Sequence, residues 1–178
     1  MKNITKSALA VLLISGFTAQ TQAAVTGQVD VKLNISTGCT VGGSSVDGNM
    51  NKFGTLDFGK TSGTWTNILT AEVASSATGS SLEVVCDGKD PVDFTVSIDG
   101  GERTDRTLKN TASADMVAYN VYRDAARTNL YAVNTPQTFT SVGGQATPVP
   151  IFGAIAANTG TAKAQGDYKD TLLVTVNF

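Results

Sequence analysis

V-T-G-Q-V-D-V-K-L-N-I-S, residues 25–36, places an apolar side chain at every second position from Val25 to Ile35, interrupted only by Gly27, with polar residues filling the places between. Strand side chains alternate between faces, so the stretch has one apolar and one polar edge. At about 3.3 Å per residue it extends for roughly 40 Å, about twice the common strand. A strand of that reach near the start of a chain is suited to lie in another molecule.

Upstream, Lys2 and Lys6 precede a short apolar run from Ala8 to Phe17, and Thr21-Gln22-Ala23 leads into Ala24 with small residues at the cleavage positions. That is the form of an export leader, residues 1–23, too short in its apolar run to span a bilayer. The expected products are a soluble exported protein, an N-terminal extension over 24–36 and one body domain over 37–178. Cys39 and Cys86, in an exported chain, are expected to form a disulfide rather than a metal or redox pair.

The 13 basic residues are scattered among 15 acidic ones with no cluster to neutralise phosphates, so no nucleic-acid partner is expected. The chain has no histidine, which removes Ser-His and Cys-His catalysis and every imidazole metal site. G-x-S-x-G and P-loop patterns are also missing, so neither an enzyme nor a cofactor is expected.

Downstream, the pattern is short strands separated by turn residues about every ten positions. Expected strands cover 53–58, 65–73, 82–86 and 92–98, then 116–123, 130–133, 139–142, 149–155 and 168–178. Val92, Phe94, Val96 and Ile98 alternate strictly before Asp99-Gly100-Gly101, and residues 102–113 read as a polar, exposed connection. The whole reads as an all-β sandwich. Its last strand carries Leu172, Val174, Val176 and Phe178 on one face, and the sequence stops on the aromatic residue.

Three stretches, A-V-T-G-Q-V-D-V-K-L-N-I-S-T-G-C-T-V at 24–41, F-G-T-L-D-F-G at 53–59 and G-D-Y-K-D-T-L-L-V-T-V-N-F at 166–178, resemble the archaic chaperone-usher pilins of the spore-coat-U type. Within that family the resemblance is to the major rod subunits of Csu-type pili. It implies an immunoglobulin-like sandwich lacking its final strand, with an apolar groove edged by Leu172, Val174, Val176 and Phe178. A periplasmic chaperone would fill the groove first and anchor the C-terminal carboxylate. At an outer-membrane usher, the donor strand of a neighbouring copy, through Val25, Gly27, Val29, Val31, Leu33 and Ile35, would replace it. The implied product is a cell-surface fibre for attachment and biofilm formation, with tip and minor pilins as further partners. Surface binding would belong mainly to a two-domain tip subunit, longer than this chain.

Other features have plainer readings. Trp65 and the Tyr119/Tyr122 pair suggest a carbohydrate platform, yet core packing accounts for them. Asp87, Asp90, Asp93 and Asp99 lack EF-hand spacing and read as turn residues. Asn34-Ile35-Ser36 forms a glycosylation sequon, but a glycan there would block insertion of the strand. The competing function is a monomeric secreted sandwich that binds carbohydrate or a surface.

Overall fold

In the computed structural model, residues 28–36, 38–42, 45–47, 50–74 and 82–178 are described. The expected leader, Val25 and Gly27 lie outside them. The chain divides into two units, residues 1–35 and 36–178.

The second unit is built from fifteen strands and no helix among its described residues. The first seven are β1 (Cys39–Gly42), β2 (Ser45–Asp47), β3 (Met50–Lys52), β4 (Thr55–Leu56), β5 (Leu69–Ala74), β6 (Leu82–Cys86) and β7 (Val92–Ile98). Then come β8 (Thr107–Asn110), β9 (Met116–Ala118), β10 (Asn120–Tyr122) and β11 (Gln137–Ser141). The last four are β12 (Ala146–Val149), β13 (Phe152–Ile155), β14 (Tyr168–Lys169) and β15 (Val174–Asn177).

Every ladder is antiparallel. The main sheets run β1-β6-β12, β11-β7-β15 and β10-β13-β5-β4, with smaller ones β14-β8-β9 and β2-β3. The all-β, immunoglobulin-like sandwich expected from the sequence is therefore present.

Alternation explains where the core sits. Leu82, Val84 and Cys86 of β6 and Phe94, Val96 and Ile98 of β7 are buried every second residue, and they join Val121, Tyr131 and Val149 in one cluster. Each of these side chains contributes about 1.5–3 kcal/mol on burial. Pro148 lies in β12, at the edge of its sheet, where a missing amide hydrogen is tolerated.

Several expectations need correction: the strand expected over 116–123 is two, β9 and β10, the one over 149–155 is divided between β12 and β13, and 130–133 forms no strand, only an isolated bridge from Leu130 to Tyr122. Residues 102–113 are not an exposed connection: they contain β8, and Arg106, Thr107 and Asn110 are buried. Their polar groups serve the backbone. The Arg106 guanidinium donates to the carbonyls of Ile98, Asp99 and Tyr131. Asn110 accepts from the amides of Ala112 and Ser113 at 2.8 and 3.1 Å and donates to the carbonyl of Gln165 at 3.2 Å. Polarity in the sequence therefore marked satisfied burial.

The expected continuous final strand, 168–178, is broken between β14 and β15. Asp170 turns inward there and accepts hydrogen bonds from Arg103, Tyr119 and the amide of Glu102. Likewise the strand expected from Trp65 begins only at Leu69, while Trp65 makes an isolated bridge to Asn158.

Candidate functional site

β15 is hydrogen-bonded to β7 along one side only, Val174 opposite Ile98 and Asn177 opposite Thr95. Its other side has no ladder partner among the described residues. β4 is likewise the edge of its sheet, paired only with β5. Between these regions opens a cavity of ≈ 640 Å³. Ile98, Tyr119 and Ile151 line it together with Leu56 and Phe58 from the β4 side and Leu172 and Val174 from the β15 side. It is an apolar trough beside a free strand edge. An unpaired row of amides and carbonyls next to apolar side chains is a template for an added strand.

The expected groove residues divide. Leu172 and Val174 line the cavity, whereas Val176 and Phe178 lie further along the same edge. Leu172, Val174 and Val176 are half-buried and pack against the core cluster. Phe178 is 60% exposed, its ring 6.2 Å from that of Phe94.

One end of the trough is fixed by a polar cluster. Asp170 has a side chain only 2% exposed, paired with Arg103 at 2.8 Å. The Tyr119 hydroxyl donates to its other oxygen at 2.7 Å, and Arg103 also donates to the Thr107 carbonyl at 2.7 Å. Burial, then the hydrogen bond to Asp170 and that carboxylate's charge, pushes the Tyr119 hydroxyl well above the ordinary tyrosine range. A buried ion pair adds little net stability against an apolar replacement, so its value here is positional. It pins the segment before β15 to the Gly101–Thr107 loop.

Of the expected donor residues, the described ones, Val29, Val31, Leu33 and Ile35, belong to no ladder. Residues 28–36 form no strand, and Val29, Val31, Leu33 and Ile35 are between 83% and 90% exposed. The alternation expected to make a strand is in place, but a strand needs a partner edge. Four large apolar side chains in a row exposed to water form an uncommon feature for a soluble chain.

Cys39 and Cys86 form the expected disulfide, joining β1 to β6. Just before it, the Gly38 amide donates to the Asp87 carboxylate and the Asp87 amide returns a bond to the Gly38 carbonyl at 2.9 Å. Asp87, Asp93 and Asp99 each serve a different turn or strand. Asp93 accepts from the Thr140 hydroxyl, and Asp99 from the amides of Gly101 and Leu173. The Trp65 indole donates to the Ala156 carbonyl at 2.8 Å, consistent with the packing reading.

Sequence reasoning missed Leu56, Phe58, Tyr119 and Asp170 as groove residues. The signal was available in F-G-T-L-D-F-G, whose Leu56 and Phe58 fall on alternate positions. Tyr119 and Asp170 gave none, because their pairing spans 51 positions of sequence.

An antiparallel sandwich with an open strand position defines a class: a β domain that another strand can complete. The chain belongs to the Spore Coat Protein U domain family, whose family model matches residues 25–175. No curated protein matches it. Among solved structures it is similar to a chain in the CsuC–CsuE chaperone–tip adhesion subunit pre-assembly complex from archaic chaperone-usher Csu pili of Acinetobacter baumannii. The similarity has a TM-score of 0.42 and 14% identity, and covers 81% of this chain and 40% of that one.

Proposed function

We propose that this chain is a structural subunit of a surface pilus rod, exported to the periplasm and polymerised by donor-strand exchange through the chaperone-usher route. Residues 24–36 are the donor strand and residues 37–178 the body that accepts one. The carrying observation is a complementary pair: an apolar trough at a free sheet edge, and an alternating apolar stretch with no edge to join. Val25, Val29, Val31, Leu33 and Ile35 would contribute roughly 7–15 kcal/mol gross on burial, before the cost of ordering. That is comparable with the stability of a whole domain, so release of an inserted strand is very slow.

In this reading a periplasmic chaperone holds the edge of β15 until an outer-membrane usher delivers the neighbouring copy's strand. Tip and minor pilins complete the fibre, which supports attachment and biofilm formation. Leu172, Val174, Val176 and Phe178 are the groove edge and the chaperone contact. No catalytic role is assigned.

The test is gel electrophoresis without reductant, unheated and heated, of protein exported with chaperone and usher present. The full chain should give a ladder that collapses on heating, and a chain lacking residues 24–35 should give none. A single monomer band for both would sink the proposal. It would favour a monomeric carbohydrate-binding sandwich, for which a ≈ 460 Å³ depression lined by Thr61, Thr64, Trp65, Asn67 and Thr159 is the place to look.

A further inference from the structure

The segment leading into β5 and the segment leaving β13 meet at one end of their sheet, where Leu69 is paired with Ile155. Trp65 and Asn158 exchange backbone hydrogen bonds at 2.9 and 2.8 Å, and the Lys163 amide donates to the Gly63 carbonyl at 2.9 Å. The Asn158 side chain donates to the carbonyls of Gly63 and Thr161 at 3.0 and 3.1 Å. The segments run so close that a Cβ on Gly63 would fall 2.8 Å from the Lys163 carbonyl oxygen. Surface connections are ordinarily the mobile parts of a domain. These two are laced together along a seam.

On that seam lies the depression of ≈ 460 Å³. Trp65 lines it and is held twice, by packing on the core cluster and by the bond from its indole N–H to the Ala156 carbonyl at 2.8 Å. A ring anchored in this way is a fixed wall, so little ordering cost attends a ligand laid against it. Around it stand Thr61, Thr64, Thr66, Asn67 and Thr159, all exposed, whose side chains make no hydrogen bond to any described residue. Hydroxyl and amide groups both donate and accept. No acidic or basic side chain lines the depression, so a charged ligand would be desolvated there without a counter-charge. The chemistry that fits is uncharged, rich in hydroxyls and apolar on one face: that of a sugar ring.

We propose that the body domain carries here a binding site for a neutral saccharide, with the apolar face of a sugar ring against Trp65 and its hydroxyls shared among Thr66, Asn67 and Thr159. The site has no lining residue in common with the apolar groove. β5 separates the two: Leu69, its first residue, lines the depression, and Val73, near its other end, lines the groove. A strand seated in the groove leaves the depression open, and the site exists whether or not copies assemble. In a fibre it would recur once per subunit, and many weak contacts hold a glycan-coated surface where one would not.

Trp65 is the only tryptophan of the chain, so its fluorescence reports on this site alone. The assembled full-length protein is titrated with maltose, cellobiose, lactose and diacetylchitobiose, and with sodium glucuronate as a charged control. At least one neutral sugar should change the emission saturably, in the millimolar range, and glucuronate should not. Asn67→Ala and Thr159→Ala alter exposed side chains that bond to nothing, so the fold and the unheated ladder should be unchanged. Each should weaken binding by about three- to tenfold, the loss expected for one hydrogen bond. No saturable change with any of the four sugars overturns the site. An equal response to glucuronate, or binding indifferent to both substitutions, overturns it as well. Neither result touches donor-strand assembly, which the ladder reads separately.

Discussion

Val31 is 90% exposed in the isolated chain and, in the proposed fibre, stands at the middle of the donor row. Val31→Asp should leave export and body stability unchanged, because nothing in the body depends on it, yet put an unpaired carboxylate into an apolar trough. The expected result is subunit that never leaves the monomer band of an unheated gel. Fibres of normal length from this variant would remove Val31 from the interface. Tyr119 answers a different question, that of pH. Its raised pKa, and that of Tyr131, raised chiefly by burial, mean that the folded state holds both protons where an unfolded chain would release them. Stability from this source is fully present below about pH 10 and declines above it, by about 1.4 kcal/mol per pH unit for each tyrosine. Urea denaturation from pH 8 to 11 should show that decline, and Tyr119→Phe should reduce its slope.

At the level of elements, the groove depends on how β13 supports its wall. A Cβ on Gly153 would come 2.7 Å from Leu56 Cδ2 and from Phe58 Cζ, the ends of side chains that can swing aside. Gly153→Ala should therefore cost the body only about 1 kcal/mol while pushing both side chains into the trough. Uptake of a synthetic peptide of residues 24–36 should weaken, and unchanged affinity would mean the wall is not part of the seat. The disulfide closes a loop with a sequence separation of 47, and Cys39→Ser should destabilise the body by about 4 kcal/mol in the chain-entropy model. A shift under about 1 kcal/mol in urea would mean the ladder of β1 and β6 suffices. The strands legible in the sequence were those with strict alternation: β6 and β7 fall where their periods put them. What was not legible were elements whose polar residues are satisfied at long range. Nothing local in R-T-D-R-T-L-K-N, residues 103–110, reveals that Arg106 caps three carbonyls inside the sandwich. The groove was legible on its β15 side, through Leu172 and Val174, and not on its β4 side, where only two residues form the strand.

In the proposed assembly the body domain takes up one further strand, and supplying that strand should raise its stability. For the body domain lacking residues 24–35, peptide 24–36 at a hundredfold its Kd should add about 2.7 kcal/mol. That corresponds to a rise in Tm of roughly 5–10 °C, and no rise at saturating peptide would count against an open acceptor site. The position of the Cys39–Cys86 bond has one more consequence for a fibre of such molecules. Tension along the fibre would enter each body at Gly38, immediately before the bond. β1 is a four-residue strand at a sheet edge, and its hydrogen bonds alone would peel one after another under such a pull. The covalent link passes the load directly to β6, the central strand of its sheet, whose alternate side chains are wholly buried. Under stretch, the first thing to yield would then be the joint between subunits, not the subunit itself.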